Sequence, residues 1–488
     1  MSALTLRSVR PYGGGGPVDV VVRDGLIAAI TPAGSTPAGG QDVDMDGRFV
    51  GPGLWDAHVH FTQWVISSRR VDVGGTNSPD EVVEIVRRAL AAGAPRTDGV
   101  LVGYGYRDGL WTTPTSLRAL DEAFPDDPVM LVSGDLHAGW MNSRGAERFG
   151  LHPDASGVVS EADWIGSLQR FQKAASIPIE AYREVADAAA RRGIVGIVDY
   201  ENVPNFLEWP ERVAAGVRSL RVDGSVWPDR LEEAIAAGHR TGDPLDRHGL
   251  VTMGRLKVVV DGSLNTRTAW CWDPYPGADP HAEHGCGVQS VPVDELRRLL
   301  VRARAGGILP AVHAIGDRAN TEVVEVFEEL GMPGIIEHAQ LVREGDFARF
   351  RAAGLIASVQ PEHAMDDRDI ADLHWAGRTA RAFAFGSLHR SGAELRLGSD
   401  APVAPLDPWH AIASATTRSR GDREVWHPEQ RLPLDVALAA SSRTTLAVGQ
   451  PADLVVVDAD PHACDRDELR GMLVAATLLG GRFTHRAV

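Results

Sequence analysis

His58 and His60 form an H-x-H pair at the end of an apolar run, LWDAHVH (54–60). Side chains alternate across a strand with a period of two, so both imidazoles fall on one face and their ring nitrogens can converge on one ion. Three further groups end apolar runs: His313 in LPAVHAIGD, His338 in GIIEHA and Asp400 in LRLGSD. Each of these taken singly also fits a polar residue that closes a strand or caps a helix. Taken with the pair they offer four imidazoles and one carboxylate, a set that suits Zn2+ or a similar divalent cation.

Lys257 interrupts the apolar run LKVVV, where a charged ammonium is costly unless it is paired or chemically altered. The chain holds 49 Lys plus Arg, of which only Lys173 and Lys257 are lysines. A lysine here therefore stands against the chain's strong preference for arginine. Arginine cannot lose its proton, whereas a buried lysine can become a neutral, nucleophilic amine. Such an amine can add carbon dioxide to give a carbamate able to bridge two metal ions. The plainer reading has Lys257 extending its head to water or pairing with Asp261.

The elements that would bring these groups together show as apolar β-rich runs alternating with Ala-, Arg- and Glu-rich helical segments. That is the pattern of a parallel sheet with crossover helices. Candidate strands that end in polar residues lie at 54–60, 194–200, 220–226, 255–262, 308–317, 334–339, 355–363 and 395–400. Eight such units predict an α/β fold, a (β/α)8 TIM-like barrel over 51–446 whose chemistry is built at the carboxyl ends of its strands. The stretch from about 61 to 190 is too long for one crossover and carries strand-like runs of its own, GVLVGYGY (99–106) and PVMLVSGDLH (128–137). It predicts a large insertion over the barrel mouth. At the chain ends, 1–50 and 447–488 carry short strands and glycine turns, including VDVVV and LIAAI joined through Arg23, Asp24 and Gly25. These predict a composite β-sandwich domain built from both termini.

Composition bounds the function. Across 488 residues, 66 Asp+Glu outnumber 49 Lys+Arg, a formal net charge of −17, which argues against nucleic acid or an anionic membrane as partner. At 44% hydrophobic and 24% charged the chain reads as an ordinary globular α/β protein. Roughly 150 residues per domain suggests about three domains, although one barrel can absorb 250 residues or more. Three cysteines, Cys271, Cys286 and Cys464, cannot frame a disulfide scaffold in a chain this long, and they point to a reducing compartment, the cytoplasm. The start, MSALTLRSVRPYGGGG, lacks the charged and apolar regions of an export signal. The longest apolar stretches fall far short of the roughly 18 residues of a membrane span. The expected partner is a small-molecule substrate, and a homodimer is the base expectation for assembly.

The segments GPGLWDAHVH, LKVVVDGSLNTRTA, VHAIGDRAN, IIEHAQ, SVQPEH, GSDAPV and GQPADLVVVDAD, in this order over almost the whole chain, resemble the amidohydrolase superfamily. The likeness is to its amidohydrolase family 3 branch, which includes N-substituted formamide deformylases. It implies a metal-bearing barrel with a composite terminal β-sandwich. His58 and His60 match the first-strand ligands, Lys257 the fourth-strand lysine, His313 and His338 the fifth- and sixth-strand histidines, and Asp400 the eighth-strand aspartate. The activity implied is hydrolysis of a non-peptide C–N bond by metal-activated water, with Asp400 taking a proton from the water and passing it to the leaving nitrogen. Two ions are expected if Lys257 is carboxylated and one if it is not. A deaminase of the same superfamily is an alternative. A catalytically silent scaffold would be expected to have lost ligands, and none is lost here.

Candidates for the substrate pocket are more scattered. Asp135, His137 and Asn142 lie in SGDLHAGWMNS, which resembles a segment of the branch and fits a capped loop equally well. His363, after Gln360 and Pro361, closes the seventh strand and faces the same rim. Tyr104, Tyr106 and Trp111 in GYGYRDGLW can wall a pocket or fill a core. The branch commonly shows Trp near Tyr106, a departure that leaves the pocket's shape open. Glu161, after SGVVS, is a further candidate carboxylate for the site. Cys271 and Cys286 with His281 and His284 match no standard structural zinc spacing and read as a loop near the barrel mouth.

Overall fold

A computed structural model of the chain describes residues 4–37, 39–106, 108, 111–133, 138–160, 177–279 and 285–488. Eight parallel strands follow one another in a single sheet: β1 (Leu54–Val59), β2 (Ile194–Asp199), β3 (Arg221–Val226), β4 (Val251–Val259), β5 (Pro310–Ala314), β6 (Gly334–His338), β7 (Leu355–Val359) and β8 (Glu394–Leu397). Every residue of β1 and β2 is buried, as expected of parallel strands covered on both faces. Each of the eight expected strands is present. The fourth starts four residues earlier than its apolar run suggests, because Val251–Met253 pair with Val222–Gly224.

The sheet closes between its first and last strands. Val59 bridges Ala401, Asp400 N donates to His58 O at 2.7 Å, and His60 N donates to Ala401 O at 2.9 Å. A side chain at position 398 would obstruct this closure, since a Cβ there would stand 2.7 Å from His58 N and 2.9 Å from His58 Cβ. Gly398 therefore lets the end of β8 reach β1. The crossover helices give the sheet its outer layer. One of them, Asp317–Leu330, opens with an acid in its first turn and ends on Gly331 at φ 56°, which is good capping chemistry at both ends.

Both chain ends contribute to one eight-stranded sheet. Phe49–Pro52 pairs with Leu454–Val457, and residues from both ends, among them Leu6, Val20, Val50, Leu454 and Leu478, share one core. Its hairpin of Val18–Arg23 and Leu26–Pro32 turns through Asp24 and Gly25, both at positive φ, the backbone that a two-residue turn between antiparallel strands requires. Residues 62–182 form a second compact unit. It holds a five-stranded sheet in the order Val158–Ser160, Ala138–Met141, Val129–Ser133, Leu101–Tyr106 and Val71–Asp72. Among the described residues, no helix is long and apolar enough to cross a membrane.

Candidate metal centre and active site

The carboxyl rim of the barrel collects the candidate ligands. A nitrogen each from His58 and His338 and an oxygen from Asp400 lie within 4.8 Å of one another. His58 Nε2 is 3.6 Å and His60 Nε2 is 3.4 Å from Asp400 Oδ1. Lys257 Nζ lies 3.4 Å from His58 Nε2. The His313 ring stands edge-on to His338, with centroids 4.5 Å apart. All six residues expected as ligands therefore meet at one place.

Outer contacts fix which ring nitrogen three of the four histidines offer. His58 Nδ1 is 2.6 Å from Glu337 Oε2, and Tyr200 donates its hydroxyl to the other oxygen of Glu337 at 2.7 Å. His338 Nδ1 donates to Gln360 Oε1 at 2.8 Å. His313 Nε2 faces Gly262 O at 3.3 Å. Each contact takes up one ring N–H and leaves the opposite nitrogen as a lone pair, the arrangement that orients and strengthens imidazole ligands.

Burial sets the charges. It pushes the pKa values of His58 and His338 well below the usual histidine range, with nearby cationic groups adding to the effect. Neutral imidazole is the form that binds metal. Burial also lowers Lys257, against the opposing pull of Glu337 and Asp400, and raises the Asp400 carboxyl. A carboxylate and neutral imidazoles in so dry a place fit a divalent cation, whose charge would offset the desolvation of Asp400. One further atom supports that fit. His363 Nε2 is buried without a hydrogen-bond partner among the described residues and lies 3.8 Å from Asp400 Oδ2.

Lys257 does not pair with Asp261. That carboxylate accepts the backbone N–H groups of Trp270, Ile315 and Gly316 at 2.9, 3.0 and 2.8 Å, which anchors the loops after β4 and β5. The Lys257 ammonium instead sits 4.4 Å over the Tyr200 ring. His363 does not close the seventh strand but lies in the short helix Pro361–Asp366, because Pro361 suits the first helical turn. Asn142 is the cap of the helix Ser143–Phe149. Its Oδ1 accepts from Gly145 and Val129 and its Nδ2 donates to Phe124 and Asp127, which is the capped-loop reading. Tyr106 and Trp111 belong to the second unit, where they cluster with Trp140 at 6.0–6.2 Å between centroids. Asp135, His137, Glu161, His281 and His284 lie outside the described residues.

Glu337, Tyr200 and Gln360 are site residues that the sequence reading did not select. Alternation places Glu337 and His338 on opposite faces of β6, yet both reach the centre. The reason is the backbone: His338 has φ +74° and Ala339 φ +42°, so the strand kinks at its last residue and turns the imidazole inward.

The chain belongs to the amidohydrolase family: the sequence profile of the Amidohydrolase family matches residues 41–485. Among curated relatives, the chain is 23% identical to the N-substituted formamide deformylase of Arthrobacter pascens, over 95% of this chain and 94% of that protein. It is 24% identical to the Protein LONG AFTER FAR-RED 3 of Arabidopsis thaliana, over 95% and 87% of the two chains. Among solved structures, an uncharacterized metal-dependent hydrolase from Pyrococcus horikoshii superposes with a TM-score of 0.79 at 24% identity, covering 96% of this chain and 99% of the other. That structure shares the fold.

Proposed function

We propose that the chain is a metal-dependent hydrolase of a non-peptide C–N bond, an amide, N-acyl or N-formyl bond of a small molecule. The observation that carries this reading is the meeting of buried His58, His338 and Asp400 within 4.8 Å at the carboxyl rim of the barrel. Kinship with an N-substituted formamide deformylase supports the choice of bond. His58, His60, His313, His338 and Asp400 would hold a divalent cation, which when bound would supply Lewis acidity to lower the pKa of water and polarise a carbonyl oxygen.

The protein's own groups do the rest. Asp400, 3.4 Å from His60 Nε2 and 3.8 Å from His363 Nε2, takes a proton from the attacking water and delivers it to the nitrogen as the C–N bond breaks. Water's oxygen stays on the acyl carbon, and the products are an acid and an amine. Glu337 and Gln360 hold the two buried imidazoles in the tautomers the site needs. His363, stacked near His338 and in contact range of Asp400, orients the substrate. Lys257, buried and deprived of a carboxylate partner in Asp261, is the residue that carries a carboxyl group if two ions are held. Zn2+ is the cation of choice for such a ligand set.

A panel of N-formyl and N-acyl amines and of amidines, assayed with metal-loaded protein, tests the reading. Release of formate or another acid together with a free amine is expected. Release of ammonia from amidines alone would assign a deaminase instead.

A further inference from the structure

Beneath the metal centre, inside the barrel and toward the amino ends of its strands, lies a cavity of about 270 Å³. Its roof is a buried cluster of Val198, Tyr200 and Ala311 with Ile335 packed against it, and Tyr200 is the residue shared with the site above. Three arginines line the cavity, Arg255, Arg396 and Arg443, with Asp223 as the single carboxylate among the lining residues. Arg255 lies two residues before Lys257 on β4, so it shares the inward face one layer lower. Its Nη1 is buried without a hydrogen-bond partner among the described residues.

Asp223 cannot neutralise all three. Its carboxylate already takes Arg443 and the Thr252 hydroxyl. Among the described residues, Arg396 pairs with Glu394 on its own strand, whose side chain is 53% exposed. Burial pushes the Arg396 pKa down, and the neighbouring Arg443 guanidinium adds to that. Arg443 is thus paired with Asp223 and Arg396 with the half-exposed Glu394, while Arg255 has no ion pair among the described residues, so one guanidinium is left uncompensated in a partly dry space, an arrangement that is costly without an anion.

The cavity is reachable. Arg396 and Arg443 also line an adjoining cleft of about 470 Å³, together with Tyr12, Thr444, Thr445 and His462. The Tyr12 hydroxyl there is buried and has no hydrogen-bond partner among the described residues. A guanidinium fork matches the paired oxygens of carboxylate or phosphate. The inner volume equals roughly nine waters at about 30 Å³ each, enough for phosphate or a four-carbon dicarboxylate.

We propose that this floor cavity is a binding site for a small dianion, phosphate or a short dicarboxylate, held by Arg255, Arg396 and Arg443 and separate from the metal centre. Equilibrium dialysis of radiolabelled phosphate against the full metal-loaded chain at constant ionic strength tests it. One saturable site per chain is expected, and chelation of the metal leaves it in place. Arg396→Gln and Arg443→Gln each weaken binding at least tenfold, or about 1.4 kcal/mol. Asp223→Asn removes the competing charge and tightens binding, a gain that misfolding could not produce. Displacement of phosphate by succinate extends the site to dicarboxylates, and failure to displace restricts it to phosphate. The proposal is overturned by no saturable binding at millimolar phosphate, by binding that chelation abolishes, or by binding that both arginine substitutions leave unchanged.

Discussion

Glu337 Oε2 lies 2.6 Å from His58 Nδ1, and both side chains are fully buried. This contact decides what His58 can offer as a candidate ligand, because it fixes the proton on Nδ1 and leaves Nε2 facing Asp400 and Lys257. Tyr200 holds the second carboxylate oxygen, so neither oxygen of Glu337 is free to turn away.

Replacing Glu337 by Gln supplies only one acceptor for two donors. The Tyr200 hydroxyl can turn to accept from the new amide, but the negative charge that strengthens His58 as a ligand is gone. Metal affinity, measured by competition with a chromophoric chelator, is expected to fall about 10–100-fold, the usual cost of losing such a support. Unchanged affinity would remove Glu337 from the centre's support.

Asp400→Asn keeps the shape of the side chain and removes its basicity. Turnover of the metal-loaded variant is expected to drop by about 10²–10⁴-fold, the typical share of positioned proton transfer. Steady-state assays normalised to bound metal read this directly. Near-normal turnover would exclude Asp400 as the proton carrier.

Gly398→Ala places a Cβ against the His58 backbone at the barrel seam. Overpacking of this kind costs about 1–3 kcal/mol. Thermal unfolding of the variant should show a lowered midpoint, and metal content should fall with it, because the same seam sets His58 beside Asp400. A variant as stable as the parent would show that the seam is not tightly packed.

His462 provides a pH-dependent link. Partial burial alone would lower its pKa, but hydrogen bonds to Asp435 and Asp460, at 2.7 and 3.3 Å, outweigh this and raise it. A group whose folded pKa is raised stabilises fully below its unfolded value, near 6.5, and loses that contribution as pH rises through the folded value. The difference in melting temperature between the parent and His462→Gln is therefore expected to be larger near pH 6 than near pH 8. A difference that grows with pH would contradict the assignment.

The eight strands were legible because buried parallel strands read as apolar runs, and His58 and His60 because regular alternation holds through Val59. Glu337 was not legible beside His338 for the converse reason: the left-handed backbone at His338 breaks the alternation on which the reading depends. The Lys257 environment depends on long-range contacts, with Asp261, just past the end of β4, drawn to the backbone of Trp270, Ile315 and Gly316 rather than to Lys257. For His363 the signal lies in Pro361, which opens the helix Pro361–Asp366 directly after the apolar run of β7. Asn142 shows the limit of residue type alone, since four backbone contacts use up its amide before any ligand could.

The central claim is that the rim of the barrel holds catalytic metal. Metal content per chain, by plasma mass spectrometry on protein purified without chelators and paired with native intact mass, tests it most directly. Two zinc-like ions with about 44 Da of added mass are expected for a Lys257 carbamate bridging both ions, and one ion without added mass for an unmodified lysine. Absence of any stoichiometric metal after reconstitution would contradict the account.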